Sequence, residues 1–256
     1  MDLTGKTALV GGGSQGIGLA AAQHLAALGA RVILLARDAA RLEAALGTLP
    51  GTGHRWAAAD FSQPDQVAEA AAALTAESPI HILVNNTGGP AGGPLTAATP
   101  DAFRNTFDQH LVCNHLLVQA VLPGMQAAGY GRIINVISTS VKQPLHGLGV
   151  SNTIRGAVAN WAKSLANEVG VHGITVNNVL PGATETSRLH EIIRAKSQST
   201  GLRTEAIHAE MAGAVPLKRV GQPEEIGRAI AFLATPAASY IHGINLPVDG
   251  GRTACL

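Results

Sequence analysis

Short apolar runs alternate along the chain with longer Ala- and Leu-rich stretches in which apolar positions recur at helical spacing. The runs have the length of buried strands and span residues 7–10, 31–36, 54–59, 80–84, 132–137, 174–180 and 244–248. Helices are predicted between them at residues 17–28, 39–46, 64–76, 100–128, 151–169 and 223–234. Continuously apolar strands that alternate with helices indicate an α/β fold, a doubly wound parallel sheet with helices on both faces.

One segment, residues 184–217, interrupts this alternation because it is richer in Arg, Lys, Glu and Ser. Two interpretations fit the segment: a pair of ordinary surface helices, or a lid that covers a site. The sequence leaves both open.

Composition narrows the class of protein. The chain has 256 residues, 46% hydrophobic and 14% charged, which favours one folded domain over residues 1–256 and excludes a mostly disordered chain. A net charge of +1 argues against nucleic acid as a partner. Because no long apolar run and no signal pattern is present, we expect no membrane contact and a cytoplasmic location. Cys113 and Cys255 are too few for a disulfide framework, and no metal site is predicted.

A glycine-rich loop joins the first predicted strand to the first predicted helix. Gly12, Gly16 and Gly18 allow a tight turn and let the backbone approach a diphosphate at the N-terminus of the helix. A glycine-rich stretch can also be a simple turn, but its place between a strand and a helix favours phosphate binding.

The spacing Gly-x-x-x-Gly-x-Gly in this loop resembles the short-chain dehydrogenase/reductase family, and other motifs extend the resemblance over nearly the whole chain. The matching segments are Asp60-Phe61, Asn85-Asn86-Thr87-Gly88, Asn177, residues 181–186 (PGATET), residues 216–226 (PLKRVGQPEEI) and residues 248–251 (VDGG). The resemblance, which is to 3-oxoacyl-ACP-reductase-like members, implies a Rossmann-like fold and a nicotinamide cofactor. The residues expected at that cofactor are Gly12, Ser14, Gln15, Gly16, Ile17, Gly18, Arg37, Asp60, Phe61, Asn86, Gly88, Arg155, Pro181, Gly182, Thr184 and Thr186.

The choice of cofactor depends on the residue at the end of the second strand. A carboxylate there selects NAD(H), whereas this chain has Arg37, whose guanidinium can bind a 2′-phosphate. We therefore expect NADP(H) to be preferred over NAD(H). Two observations keep the alternative open: Arg37 can be a solvated turn residue, and Gln15 stands where many NADP(H)-dependent members have a basic residue.

The reductases of this family use Ser, Tyr, Lys and Asn, and the resemblance assigns these roles to Ser138, Ser151, Arg155 and His110. A phenol, whose pKa is about 10, needs about 4 kcal/mol of electrostatic help to act at neutral pH. The hydroxyl of Ser151 is a far weaker acid, so the usual neighbour cannot activate it in the same way. Arg155 keeps the positive charge and lies on the helix face of Ser151, although it does not replace Lys geometrically.

Two histidines are candidates for supplying the missing proton near pH 7. His146 lies between Ser138 and Ser151 in a loop that the family uses to shape its substrate pocket, and His110 faces the same centre. Alternatively, His146 is a surface-loop residue and His110 is hydrogen-bonded to backbone. Lys142, beside the same loop, can hold an anionic substrate or be a solvated charge.

Three functions follow as hypotheses. The leading one is an NADP(H)-dependent oxidoreductase that interconverts a small-molecule carbonyl and alcohol with an atypical proton relay. The second is a regulatory or structural protein that binds NADP(H) without turnover, and the third is a lyase or isomerase that uses the same pocket. The resemblance also implies a homo-oligomer, a tetramer or dimer assembled through the long helices at residues 100–128 and 151–169.

Overall fold

Seven parallel strands form one sheet in the order β3-β2-β1-β4-β5-β6-β7. The computed structural model describes residues 1–255. The strands are β1 Thr7–Gly11, β2 Arg31–Ala36, β3 Arg55–Ala58, β4 Ile82–Asn85, β5 Gly131–Val136, β6 Ile174–Pro181 and β7 Asn245–Val248. The predicted doubly wound parallel sheet is thereby confirmed, since the strand order reverses between β1 and β4.

Helices cover both faces of this sheet. They are α1 Gly16–Ala27, α2 Ala39–Leu46, α3 Pro64–Glu77, α4 Pro100–Phe107, α5 Cys113–Ala128, α6 Gly149–Val169, α7 Ser187–Thr200, α8 Thr204–Gly213 and α9 Pro223–Leu233. One apolar core packs α1, α2 and α9 against the sheet, and a second core packs α3, α5 and α6 against the opposite face. The polar segment 184–217 forms the helix pair α7 and α8, which encloses a smaller apolar cluster.

The helix predicted at residues 100–128 differs from an ordinary α-helix in its middle. A π-helical segment, Asp108–Val112, joins α4 to α5 and widens the helix by one residue per turn. By length and composition alone, Pro100–Ala128 is long and apolar enough to cross a membrane. Core helices meet the same criterion, and this one contributes Leu117, Val121 and Met125 to the second core.

A chain of amide hydrogen bonds crosses four neighbouring strands inside the protein. Asn85 donates to Asn135 over 2.8 Å, Asn135 to Asn178 over 2.9 Å, and Asn178 to Asn245 over 2.8 Å. These four residues, here called the asparagine ladder, lie directly opposite one another on β4, β5, β6 and β7. A shift of one strand by one residue would leave buried amides unpaired, so the ladder fixes the register of this half of the sheet.

Candidate active site

The predicted site residues gather at the carboxyl edge of the sheet. The strands β1, β4, β5 and β6 all end there, and the crevice between β1 and β4 is where doubly wound folds bind their ligands. Gly11, Asn85, Val136 and Pro181 are the last residues of these four strands, so the motifs that follow them face one cleft.

The glycine-rich loop after β1 needs its glycines for steric reasons. Gly12 and Gly16 have φ angles of +59° and +56°, a region that favours glycine. A Cβ on Gly18 would lie only 2.2 Å from the carbonyl oxygen of Gly12. The Asn86 side chain fixes the loop from β4, because its Nδ2 donates to the carbonyl oxygen of Gly11 over 3.1 Å.

The N-terminus of α1 fits a bound diphosphate. Gln15 precedes the helix and makes no side-chain capping bond, and the first turn carries no acidic residue. The first N–H groups of α1 are therefore available to an anion, and the positive end of the helix attracts it. Of the other predicted loop residues, Ser14 and Ile17 are half-buried and Gln15 is exposed.

The expected adenosine side of the cleft contains a residue that the sequence analysis missed. Arg37 is exposed at the end of β2, where its charge helps to lower the pKa of Asp60. The larger cause of that lowered pKa is the hydrogen bond that the Ser62 backbone N–H donates to Asp60. Arg41, on α2, donates to the Gln15 side chain over 3.4 Å and so brings a second guanidinium to the glycine-rich loop. The available signal was a second arginine in the first turns of the helix that follows β2.

Further predicted cofactor contacts line the cleft from three elements. Phe61 is half-buried and packs near Gly11, and a Cβ built on Gly11 would lie 3.3 Å from its ring. Gly88 is exposed after β4, while Pro181 and Gly182 are half-buried after β6.

The two threonines that follow β6 have different environments. The side chain of Thr186 lies 3.3 Å from the Cβ position of Gly16, and its hydroxyl accepts from the Leu189 backbone N–H to cap α7. Thr184 is buried, and its hydroxyl donates to the carbonyl oxygen of Gly182. Thr186 is therefore the better placed of the two for a diphosphate in the loop.

A guanidinium occupies the centre of the catalytic region. The Nε of Arg155 donates to the Ser151 hydroxyl over 3.2 Å, and its Nη1 donates to the carbonyl oxygens of Val136 and Ile137 over 3.2 and 2.7 Å. Ser138 follows directly and is half-buried, with its hydroxyl accepting from the Ser140 backbone N–H. Arg155 thus contacts Ser151 directly and the backbone next to Ser138 at the end of β5.

His110 lies in the π-helical segment and is buried beside this cluster. Its Nδ1 is 2.9 Å from the Thr87 hydroxyl, and its Nε2 has no hydrogen-bond partner within residues 1–255. Burial, and secondly the charge of Arg155, lowers the pKa of His110 to about 3. The sequence predicts that His110 supplies a proton near pH 7 directly or through water, and this lowered pKa favours the route through water. At that pH the ring is neutral and can only pass a proton from one ring nitrogen to the other.

His146 and Arg188 complete the surroundings of the cleft. His146 is exposed in the loop between β5 and α6. Arg188, which the sequence analysis did not select, extends from α7 and donates its Nη2 to the Pro90 carbonyl oxygen. This contact ties the helix pair α7 and α8 to the segment that follows β4, and it supports the interpretation of residues 184–217 as a lid.

The described chain, residues 1–255, contains no group of three His, Cys, Asp or Glu side chains arranged to hold a metal ion. Cys113 is buried and its thiol donates to the Phe61 carbonyl oxygen. Burial raises the pKa of Cys113 to about 12, so the thiol stays protonated and unreactive at neutral pH.

Known proteins are similar to this chain in sequence and in architecture. A family described as enoyl-(acyl carrier protein) reductase matches residues 12–253. The 3-oxoacyl-[acyl-carrier-protein] reductase FabG of Pseudomonas aeruginosa is 35% identical over 257 residues, and that of Vibrio cholerae 37% over 254, each match covering 98% of both chains. L-sorbose reductase from Gluconobacter frateurii, complexed with NADPH and L-sorbose, has a TM-score of 0.94 at 30% identity, covering 100% of this chain and 99% of that chain. The chain therefore belongs to the short-chain dehydrogenase/reductase family of oxidoreductases.

Proposed function

We propose that this protein is an NADP(H)-dependent reductase that interconverts a small-molecule carbonyl and its alcohol. The observation that carries the proposal is that Arg155 binds the Ile137 carbonyl oxygen next to Ser138, at the same carboxyl edge of the sheet as the glycine-rich loop. The similarity to FabG and to L-sorbose reductase, two carbonyl reductases by name, supports the same reaction class.

The preference for NADP(H) over NAD(H) rests on two guanidiniums. Arg41 reaches the glycine-rich loop through Gln15, and Arg37 is exposed at the end of β2, where a 2′-phosphate would lie. Each can donate charge-assisted hydrogen bonds to that phosphate, whereas NAD(H) has only a hydroxyl there. When bound, the nicotinamide supplies or accepts the hydride of the reaction.

Ser151 and Arg155 are proposed to replace the Tyr and Lys of the family's usual mechanism. In the direction of reduction, the Ser138 hydroxyl donates to the carbonyl oxygen, and the positive charge of Arg155 stabilises the alkoxide that develops. A proton then reaches the alkoxide through the Ser151 hydroxyl, supplied by a water or by His146. Neutral His110 and Thr87 are proposed to hold the relaying water on the far side.

A second candidate function is NADP(H) binding without turnover. This function is favoured because the family's usual proton donor is absent: Ser151 is a weak acid, and the low pKa of His110 keeps its ring neutral. In that case the cleft binds cofactor and communicates its presence to a partner.

The oxidation of NADPH by a panel of carbonyls, including ketoacyl thioesters, sugars and oxo acids, tests the proposal. We expect turnover with at least one class, and a loss of about 100-fold in kcat/KM in Ser138→Ala, as for other oxyanion donors. Tight NADPH binding without oxidation by any carbonyl would support the second candidate instead.

Self-association is proposed as well. A cleft of about 390 Å³ on α4 and α6 is lined by Phe103, Arg104, Phe107, Asp108 and Ile154. The exposed fraction of Phe107 is 40%, which is high for an aromatic side chain and supports contact with a second copy. Light scattering tests this, with a dimer or tetramer as the expected result and a monomer as the contradicting one.

A further inference from the structure

Two guanidiniums converge on one point of the cleft. A Cβ built on Gly89 would lie 3.5 Å from Nη2 of Arg155 and 3.9 Å from both Nε and Nη2 of Arg188. Arg155 comes from α6 and Arg188 from α7, so two helices that are distant in sequence bring their charges to the same segment after β4.

The hydrogen bonds of Arg155 leave one of its nitrogens facing the cleft. Its Nε and Nη1 are engaged by the Ser151 hydroxyl and by two carbonyl oxygens of β5 and the residue after it. Its Nη2, the nitrogen nearest Gly89, has no acceptor within residues 1–255. A guanidinium held this firmly, with one donor left over, is pre-organised for an incoming acceptor.

Neither guanidinium is neutralised by a buried carboxylate of the described chain. Arg155 has no carboxylate within ion-pair distance among residues 1–255, and Arg188 has only Glu191 at 3.4 Å. That pair lies at the surface, since 56% of the Glu191 side chain is exposed, and it contributes little. Burial lowers the pKa of Arg155 to about 10, and the charge of Arg188 is a second, smaller cause of the same lowering.

The position of Arg188 is unfavourable for the stability of α7. It is the second residue of that helix, whose N-terminal end carries a positive partial charge and whose first turn contains no acid. A cation at this end of a helix is destabilising, and the Pro90 carbonyl oxygen and exposed Glu191 offset that cost only in part. An anionic ligand at the same place would offset both the helix charge and the repulsion from Arg155.

We propose that Arg155 and Arg188 together bind a carboxylate group of the substrate, which makes the substrate an oxo acid or the corresponding hydroxy acid. This rests on the proposed function for the reaction, while the binding site stands on the geometry. Arg155 also contacts the Ile137 carbonyl next to Ser138, so the reacting oxygen and the carboxylate lie close together. A 2-oxo acid meets this requirement.

A phosphate of the cofactor is the other anion that two guanidiniums could hold. The glycine-rich loop and the N-terminus of α1 already provide for the diphosphate, with Thr186 on the side of α7 that faces Gly16. Arg188 instead reaches toward Pro90, on the segment after β4. We therefore assign the pair to the substrate.

Binding measurements test this assignment without requiring turnover. The protein saturated with NADPH is titrated calorimetrically with oxamate and with phenylglyoxylate, and separately with their uncharged amides. We expect each carboxylate to bind at least about tenfold more tightly than its amide. Equal affinity, or no binding of either carboxylate, overturns the proposal.

Two variants test whether Arg188 binds the carboxylate and whether the bound anion belongs to the substrate or to the cofactor. Arg188→Gln is expected to weaken both carboxylates at least about tenfold and to leave the NADPH affinity unchanged. Arg194→Gln, an exposed arginine on the same helix, is the matched control and should change neither. A loss of NADPH affinity as large as the loss of carboxylate affinity assigns the pair to the cofactor and overturns the proposal. Carboxylate binding without turnover would contradict only the proposed reductase function and would leave the carboxylate site standing.

Discussion

In the half of the sheet formed by β1, β2 and β3, the cleft is built from backbone, whereas in the half formed by β4 to β7 it is built from buried side chains. The first half has the glycine-rich loop and the uncapped N-terminus of α1. The second has the asparagine ladder, a buried His110 and the held guanidinium of Arg155. The diphosphate site expected in the first half therefore depends on where side chains are absent, with Arg37 and Arg41 beside it for the 2′-phosphate, whereas the second half depends on which buried side chains are present.

The largest expected effect comes from adding a side chain to the backbone half. Gly18→Ala places a Cβ only 2.2 Å from the Gly12 carbonyl oxygen, so the loop must move. We expect a loss of about 3 kcal/mol in the free energy of unfolding and of most NADPH affinity. Urea denaturation and calorimetry measure the two effects.

Gly156→Ala on α6 is the control for that variant, because no heavy atom lies within 4 Å of its Cβ position. It should keep NADPH affinity and raise the free energy of unfolding by up to about 1 kcal/mol. If Gly18→Ala behaves like Gly156→Ala, the loop is not sterically confined as described.

A slightly smaller effect is expected from removing one amide of the side-chain half. Asn135→Ala deletes two hydrogen bonds of the asparagine ladder and leaves the buried amides of Asn85 and Asn178 without their partners. We expect a loss of about 2–3 kcal/mol in the free energy of unfolding. Asn245→Ala, at the exposed end of the ladder, should cost less than about 1 kcal/mol in the same urea titration. Equal losses in the two variants would show that the ladder does not act through burial.

In the side-chain half, the buried His110 is expected to make the free energy of unfolding depend on pH, by about 2 kcal/mol. The pKa of His110 is about 3 in the folded protein, below the 6.5 of an ordinary imidazole. Between these values the unfolded chain binds the extra proton, so His110 makes stability fall as pH drops below 6.5.

His110→Asn should therefore lose less stability than the wild type between pH 7.5 and pH 5, by about 2 kcal/mol. Urea denaturation at the two pH values measures the difference, in which the other histidines cancel. An identical loss in both proteins would mean that His110 is not held neutral by burial.

The smallest predicted effect concerns the cofactor phosphate. Arg37→Ala and Arg41→Ala should each raise the Kd for NADPH about tenfold and leave the Kd for NADH nearly unchanged. Arg31→Ala, an exposed arginine at the opposite end of β2, is the control. A parallel weakening of NADPH and NADH would remove the basis for the NADP(H) preference.

Local patterns were sufficient to predict the backbone half. The strand Arg31–Ala36 and the helix Ala39–Leu46 have the bounds expected from the sequence, because their apolar runs and the Asp38 cap are local features. The glycine-rich loop was likewise visible, since its function depends on residues that follow one another. Arg41 was missed although it lies on α2, four residues after Arg37 in the chain.

The side-chain half was less predictable because its features depend on contacts between distant segments. Asn135 and Asn178 interrupt two apolar runs, which was a signal for a buried polar pair, but their pairing follows only from the strand register. The π-helical segment lies inside an ordinary helical pattern, and the pKa of His110 is set by burial. Arg188 approaches Arg155 only because α7 packs beside the segment that follows β4.

Transfer of deuterium from NADPH labelled at C4 of the nicotinamide tests the central claim most directly. The account predicts that the label appears at the carbinol carbon of the product alcohol and that Ser138→Ala slows this transfer about 100-fold. If NADPH binds tightly but the label reaches no carbonyl substrate, the side-chain half does not perform reduction and the proposed function is wrong.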